Sequence, residues 1–329
     1  MKKLIVVALI SALVVTSLFA QGSAESTDGS VWGKKVEVYV PAKAGGGTDV
    51  MARALANKIT KDSERTLTIL NNTDGSGVVA METVRNAKPN GSTLLQFHST
   101  MLIKSATGLY DKKATEDFTI IGVAKNPGPG GTILVTSPDA PYNTIDEMIN
   151  YSKQKQLLMG VETGGSIHLI SGMLAIETGM DVKYVEAGSD TEKLTTLVGG
   201  NIDACFVNIN QAKQYVDAGK VKPIALVSAT EEPLRNDLLP EVPTLVELGV
   251  DVYFSYLNMI LGPKDMDSAL VDEIHQAFSD SAASEEVNEI LTPASMNLVF
   301  YPQEDGVKAI EKQQESLTKV VERLGLQVK

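Results

Sequence analysis

The sequence predicts an α/β protein of two lobes, each a mainly parallel sheet flanked by helices. Three observations carry this. Short β-branched runs alternate with helical patterns along the chain. Two irregular connections bracket a central α/β block: one rich in Pro and Gly at 126–131, one rich in Glu, Pro and Leu at 230–243. A strand pattern also runs straight into three glycines and a helix start, over residues 35–49.

The two connections imply that one domain is inserted in the other. Residues 33–126 and 230–329 are expected to form domain 1, and residues 127–229 domain 2. Two crossings between lobes leave a cleft, and small ligands bind in clefts.

The chain opens Met1-Lys2-Lys3, continues as an apolar run from Leu4 to Ala20, and then reads Gln21-Gly22-Ser23-Ala24. A basic start, a short apolar core and small residues make a secretory signal, cut after Ala24 or, as second choice, after Ala20. A membrane anchor is the alternative, but the run is short for a span and small polar residues follow it. No cysteine follows the run, which argues against a lipid anchor. Removing 24 of 329 residues takes away Lys2 and Lys3 and moves the net charge from −12 to −14. The roughly 305 residues that remain are enough for two domains. An acidic surface disfavours nucleic acid and anionic lipid as partners. Any anion site must then act locally, through oriented backbone dipoles.

In chain order, strands are expected over 36–40, 66–70, 93–97, 118–123, 132–136, 157–161, 182–185, 204–207 and 223–227. Helices are expected over 49–61, 78–87, 145–155, 166–178, 190–198, 211–218, 269–282 and 303–324. In the first helix Val50, Ala54, Leu55 and Ile59 share one face. Cys205, the single cysteine, sits in a strand-like run and reads as a buried, inert thiol.

The loops after the strands carry the chemistry. Ala44, Gly45, Gly46, Gly47, Thr48 and Asp49 join a strand to a helix N-terminus. There, free N–H groups and the helix dipole favour an anion. The structural reading is a tight turn capped by Thr48 or Asp49, and capping leaves other N–H groups free. The loop lacks the Gly-Lys-Ser/Thr ending of a nucleotide P-loop and the Gly-x-Gly-x-x-Gly of a dinucleotide fold. Thr163, Gly164, Gly165 and Ser166 repeat the device in the central block. Two such ends facing across a cleft would grip an elongated organic anion. His98 and Ser99 follow the strand at 93–97, Ser189 and Glu192 fit a capping box, and Asn208 follows the strand at 204–207. Ligands in open parallel sheets sit beyond the carboxyl ends of strands.

Catalytic patterns are poor: the histidines are His98, His168 and His275, with no nucleophile elbow, zinc motif or Cys-x-x-Cys. No metal, cofactor or catalytic residue is expected, and an enzyme is not. A hydrolase using Ser166 and His168 is the weaker alternative, since the two are only two positions apart at a helix start.

These residues resemble the receptors of the tripartite tricarboxylate transporters, the Bug or TctC family. The loop from Pro41 to Asp49 resembles the family's proline-then-GGGTD signature. Asp74-Gly75-Ser76-Gly77 resembles its GAGG turn, and Ala87-Lys88-Pro89-Asn90-Gly91-Ser92-Thr93-Leu94-Leu95 its A-x-PDGYTLL segment. Leu197-Val198-Gly199-Gly200-Asn201-Ile202-Asp203 is similar to its LLGGxVD motif, and Leu239-Pro240-Glu241-Val242-Pro243-Thr244 to LPDVPT. The resemblance implies a periplasmic binding protein of the type II fold, a monomer. It would close on a small carboxylate and deliver it to a membrane permease. A sensor partnering a membrane kinase is the alternative. Carried over, the contacts would be Ala44 to Asp49, the loop 163–166, Asn208 and Tyr256. The chain departs from the family at Lys43, read as an exposed lysine, and at Asn208, which lacks the preceding aspartate.

Overall fold

Alternation builds the first strand. In β1 (Lys35–Val40), Val36, Val38 and Val40 are buried while Lys35 and Glu37 are exposed. α1 (Gly47–Asp62) follows and buries Ala52, Leu55, Ala56 and Ile59 on one stripe against it. The computed structural model describes residues 31–126, 129–292 and 296–327. The expected signal segment, 1–24, lies outside the described residues, as do positions 127 and 128 of the first connection.

From β1 the order is β2 (Thr66–Asn71), α2 (Val78–Arg85), β3 (Thr93–His98), α3 (Thr100–Thr107), α4 (Ala114–Asp117) and β4 (Phe118–Lys125). The central block gives β5 (Thr132–Thr136), α5 (Ile145–Ser152), β6 (Leu157–Val161), α6 (Ser166–Thr178) and β7 (Val182–Glu186). It continues through α7 (Asp190–Val198), β8 (Ala204–Asn208), α8 (Ile209–Asp217) and β9 (Lys222–Val227). The last part supplies β10 (Asn258–Pro263), α9 (Ser268–Ala283), α10 (Glu285–Leu291), β11 (Val299–Phe300) and α11 (Gln303–Leu324).

Two sheets result, ordered β11-β4-β10-β3-β1-β2 and β7-β6-β8-β5-β9. The first takes its strands from 35–125 and 258–300, the second from 132–227. Four of the six strands in the first sheet and four of the five in the second run the same way, so each sheet is mainly parallel, with β10, β11 and β5 reversed. β1 pairs parallel with β2 and β3, and β6 with β7 and β8; β10 and β5 run antiparallel to both of their neighbours. The reason is the route of the chain. β4 leaves the first sheet at the carboxyl edge of its parallel strands, and β5 enters the second sheet at the corresponding edge. The return path does the same: β9 leaves, and β10 enters between β3 and β4. A strand that enters where its neighbours exit must run against them. The carboxyl edges of both sheets are therefore the edges joined by the crossings.

Each sheet is covered on both faces, giving four apolar clusters. Over the first sheet, one face packs α1, α9 and α10, with Leu55, Ile274 and Leu291. The other packs α2, α3 and α11, with Met81, Leu102 and Val321. Over the second sheet, Met148 and Leu174 cover one face, and Leu194, Ile209 and Ala212 the other. Two glycines mark close approaches. A Cβ on Gly172 of α6 would lie 2.2 Å from Leu324 Cδ1 of α11, and one on Gly130 would lie 1.7 Å from the Val227 carbonyl oxygen. The first lets a helix of the second sheet dock on α11; the second presses one crossing against the start of the other.

Candidate functional site

The loops ahead of α1 and α6 share one backbone design. Gly45 and Gly164 both take positive φ, +79° and +76°, a region that favours glycine. One residue later, Gly46 and Gly165 are the helix N-caps. Their amides donate back three residues, to Lys43 O at 3.1 Å and Glu162 O at 2.9 Å. In each loop the positive-φ glycine donates its N–H four residues ahead to a side chain: Gly45 to Asp49 Oδ2 at 2.8 Å, and Gly164 to His168 Nδ1 at 3.2 Å. Asp49 and His168 are thus loop closers with the same job. The shared spacing, a glycine and then an acceptor side chain four positions on, is a sequence signal that could have found them.

This closure leaves three amides at each helix start without an acceptor among the described residues: Gly47, Thr48 and Asp49 in α1, and Ser166, Ile167 and His168 in α6. They carry the positive end of helices 16 and 13 residues long. An anion set against either end would meet several donors and a favourable dipole.

The side chain of Asp49 faces inward, which leaves its N–H as the group it presents at the loop. It is 2% exposed and accepts from Arg53 at 3.0 Å and from Asn71 Nδ2 at 2.9 Å as well as from Gly45. Burial raises its pKa, but the bonds from Arg53, the Gly45 amide and Asn71 outweigh that and hold the carboxyl below its usual range. Ser99 is likewise internal. It is fully buried, its hydroxyl donates to Gln313 of α11 and accepts from Leu257 N, and its amide donates to Leu257 O. It ties the end of β3 to the returning chain. Thr163 is turned to the end of β7: its amide donates to Glu186 Oε2 at 2.9 Å, and its hydroxyl bonds the same carboxylate. Asn208 caps α8 through its Oδ1, accepting from Asn210 N at 2.9 Å, and its own amide donates to Asp190. Asp190 in turn pairs with the buried Lys193 at 2.8 Å.

Tyr256 brings the two sheets' loops together. Its hydroxyl bonds the Ser166 hydroxyl at the start of α6, and its ring meets His98 edge-on, with centroids 5.7 Å apart, at the end of β3. β3 lies beside β1, so the 44–49 loop leaves the same edge of the sheet. Burial and the Lys104 ammonium lower His98 to about 4, so its ring is neutral at ordinary pH. Burial also pulls Lys104 below its ordinary value, while the nearby Glu162 of the 162–166 loop pulls it back. Burial lowers His168 while the Glu186 carboxylate pulls it partly back, and its Nδ1 accepts from Gly164, so Nε2 carries the proton. Ser166 therefore faces Tyr256 and His168 faces its own loop; the two form no nucleophile–base pair. The Cys205 thiol is buried and pushed up to about 12. Among the described residues no cluster of three or more His, Cys, Asp or Glu could hold a metal ion.

A family model described as the tripartite tricarboxylate transporter family receptor, TctC, matches residues 51–326. The chain belongs to that receptor family. Among curated relatives it is 23% identical over 263 residues to the protein BugT of Bordetella pertussis, covering 78% of each chain. Among solved structures it resembles a TctC solute-binding protein from Polaromonas at a TM-score of 0.75 and 24% identity, over 88% of this chain and 98% of that one. It also resembles MatC of Rhodopseudomonas palustris, solved with bound malate, at a TM-score of 0.64 and 24% identity, over 87% and 98% of the two chains. The two-lobed architecture of TctC receptors is thus the architecture of this chain, and the two glycine loops stand at its crossing edges.

Proposed function

We propose that this receptor captures a small organic dicarboxylate between the loops at 44–49 and 163–168 and hands it to the permease of a tripartite tricarboxylate-type transporter. One observation carries the reading: two geometrically equivalent loops, each presenting three free amides at a helix N-terminus. One carboxylate at each end is the natural occupant. Tyr256, His98 and the Asn208 side-chain Nδ2 would line the space between. Malate bound to MatC, a protein of like fold, supports the ligand class.

The lobes would be domain 1, at 33–126 and 230–329, and domain 2, at 127–229. Closure of one on the other would be stabilised by ligand contacts made from both, shifting an existing equilibrium. Receptors of this family work outside the cytoplasm; the signal-like start supports export to the periplasm, with the mature chain acting as a monomer. Titration calorimetry of the mature chain against malate, succinate, adipate and citrate tests this. Micromolar binding of at least one is expected. Silence toward every organic anion would overturn it.

A further inference from the structure

A cavity lies apart from the glycine loops. Its volume is about 640 Å³, within the usual range for small-molecule sites. It is walled by the return connection between β9 and β10, by the end of β4 at Lys125 and by α11, and none of the glycine-loop residues lines it. Its floor is apolar: Met173 of α6, Leu257, and Leu317 with Ala309 of α11. Two tyrosines form its sides. Lys125 Nζ stands 5.1 Å from the centre of the Tyr301 ring, and Lys312 Nζ 6.0 Å from that of Tyr253.

The charges around it divide into those already matched and those not. Glu231 accepts from Lys312 at 2.8 Å and from the Tyr253 hydroxyl at 2.8 Å, so that trio is complete. The half-buried Lys125, and Glu232 and Asp251, which are exposed at the rim, also line the cavity, and none has an ion-pair partner among the described residues. The Ser255 hydroxyl on the same wall is buried and has no partner. An apolar floor, one unmatched ammonium, two unmatched carboxylates and an orphan hydroxyl describe a complement. It is a small molecule with an apolar body carrying both a carboxylate and an ammonium.

We propose that this cavity is a second ligand site, suited to a zwitterionic amino acid with an apolar side chain. The carboxylate meets Lys125 and the Ser255 hydroxyl, the ammonium meets Glu232 and Asp251, and the side chain lies on Met173, Leu257 and Leu317. The site goes beyond dicarboxylate capture and does not depend on it. Gln313 joins the two regions, since it accepts from Ser99 behind the cleft and donates to Ser255 O at 2.7 Å beside the cavity.

The test is calorimetry on the mature protein with L-phenylalanine and L-leucine, without and with saturating malate. Binding of either amino acid is expected, and malate does not compete for the site. Ala309→Trp, which fills the cavity from the half-buried face of α11, should weaken it tenfold or more. Lys125→Met, which keeps the stem and removes the charge, should do the same by a second route. Malate affinity in both variants should stay within a fewfold of the parent. No binding of either amino acid at millimolar concentration overturns the proposal. So does binding that malate displaces competitively, or binding that survives both substitutions.

Discussion

Gly47 occupies the first helical position of α1, the one place in a helix where proline is well tolerated because its N–H has no intrahelical partner. Gly47→Pro therefore removes one free donor at small cost to folding. A hydrogen bond to a charged acceptor contributes about 1.5–3 kcal/mol, so dicarboxylate affinity should fall about tenfold or more while the melting temperature moves little. Titration and thermal melts on the same variant separate the two. Protonation works on the neighbouring loops. His98 and His168 are both held below the ordinary 6.5, the first to about 4. A depressed histidine binds its proton more readily in the unfolded chain, so its contribution to stability is complete above 6.5 and is lost as pH falls from 6.5 toward the folded value. Melting temperature should be flat above that point and decline below it. His168→Asn keeps an acceptor for the Gly164 N–H without the titration, and it should flatten part of the decline. An unchanged slope in that variant would remove His168 from the account.

At the scale of elements, the contact between α6 and α11 sets the docking of the second sheet's lobe. A methyl at Gly172 has no room until Leu324 yields, and overpacking of this kind costs about 1–3 kcal/mol. Gly172→Ala should destabilise by that order, and Leu324→Ala on top of it should recover part of the loss. Strictly additive effects in chemical denaturation would show that the two do not meet. The sequence read the outer elements well. α7 and α11 fall on the residues that periodicity assigns, because each has a polar face to contrast with its buried one; α6 also falls on its expected range, although Glu177 is its one exposed residue and no polar face marks it. β10 and α3 were not legible. β10 is buried along nearly its whole length, from Met259 to Pro263, so no alternation marks it. α3 buries Met101, Leu102 and Ile103 in succession, which hides the helical period. The site divided in the same way. The glycine loops announced themselves because their geometry is local. The inward commitment of Ser99 was not legible, since its partner Gln313 lies 214 residues away.

For the whole molecule, ligand binding should appear as added stability. At a hundredfold excess over the dissociation constant, a ligand that binds only the folded form contributes about 2.7 kcal/mol. A chain of this size should gain about 4 °C in its melting midpoint from that, read by calorimetry or dye-based melts. The way the chain passes between sheets decides how such a molecule can move. β5 and β10 are not edge strands; each is hydrogen-bonded on both sides within the sheet it enters. Force carried along either crossing enters the receiving sheet at an interior strand and loads two ladders, although the return crossing leaves the second sheet from its edge strand, β9. The crossings behave as beams set into two plates. Closure as proposed would turn each plate as a unit and place the bending in the spans between them, at 126–131, where Gly130 lies pressed against Val227, and at 228–257.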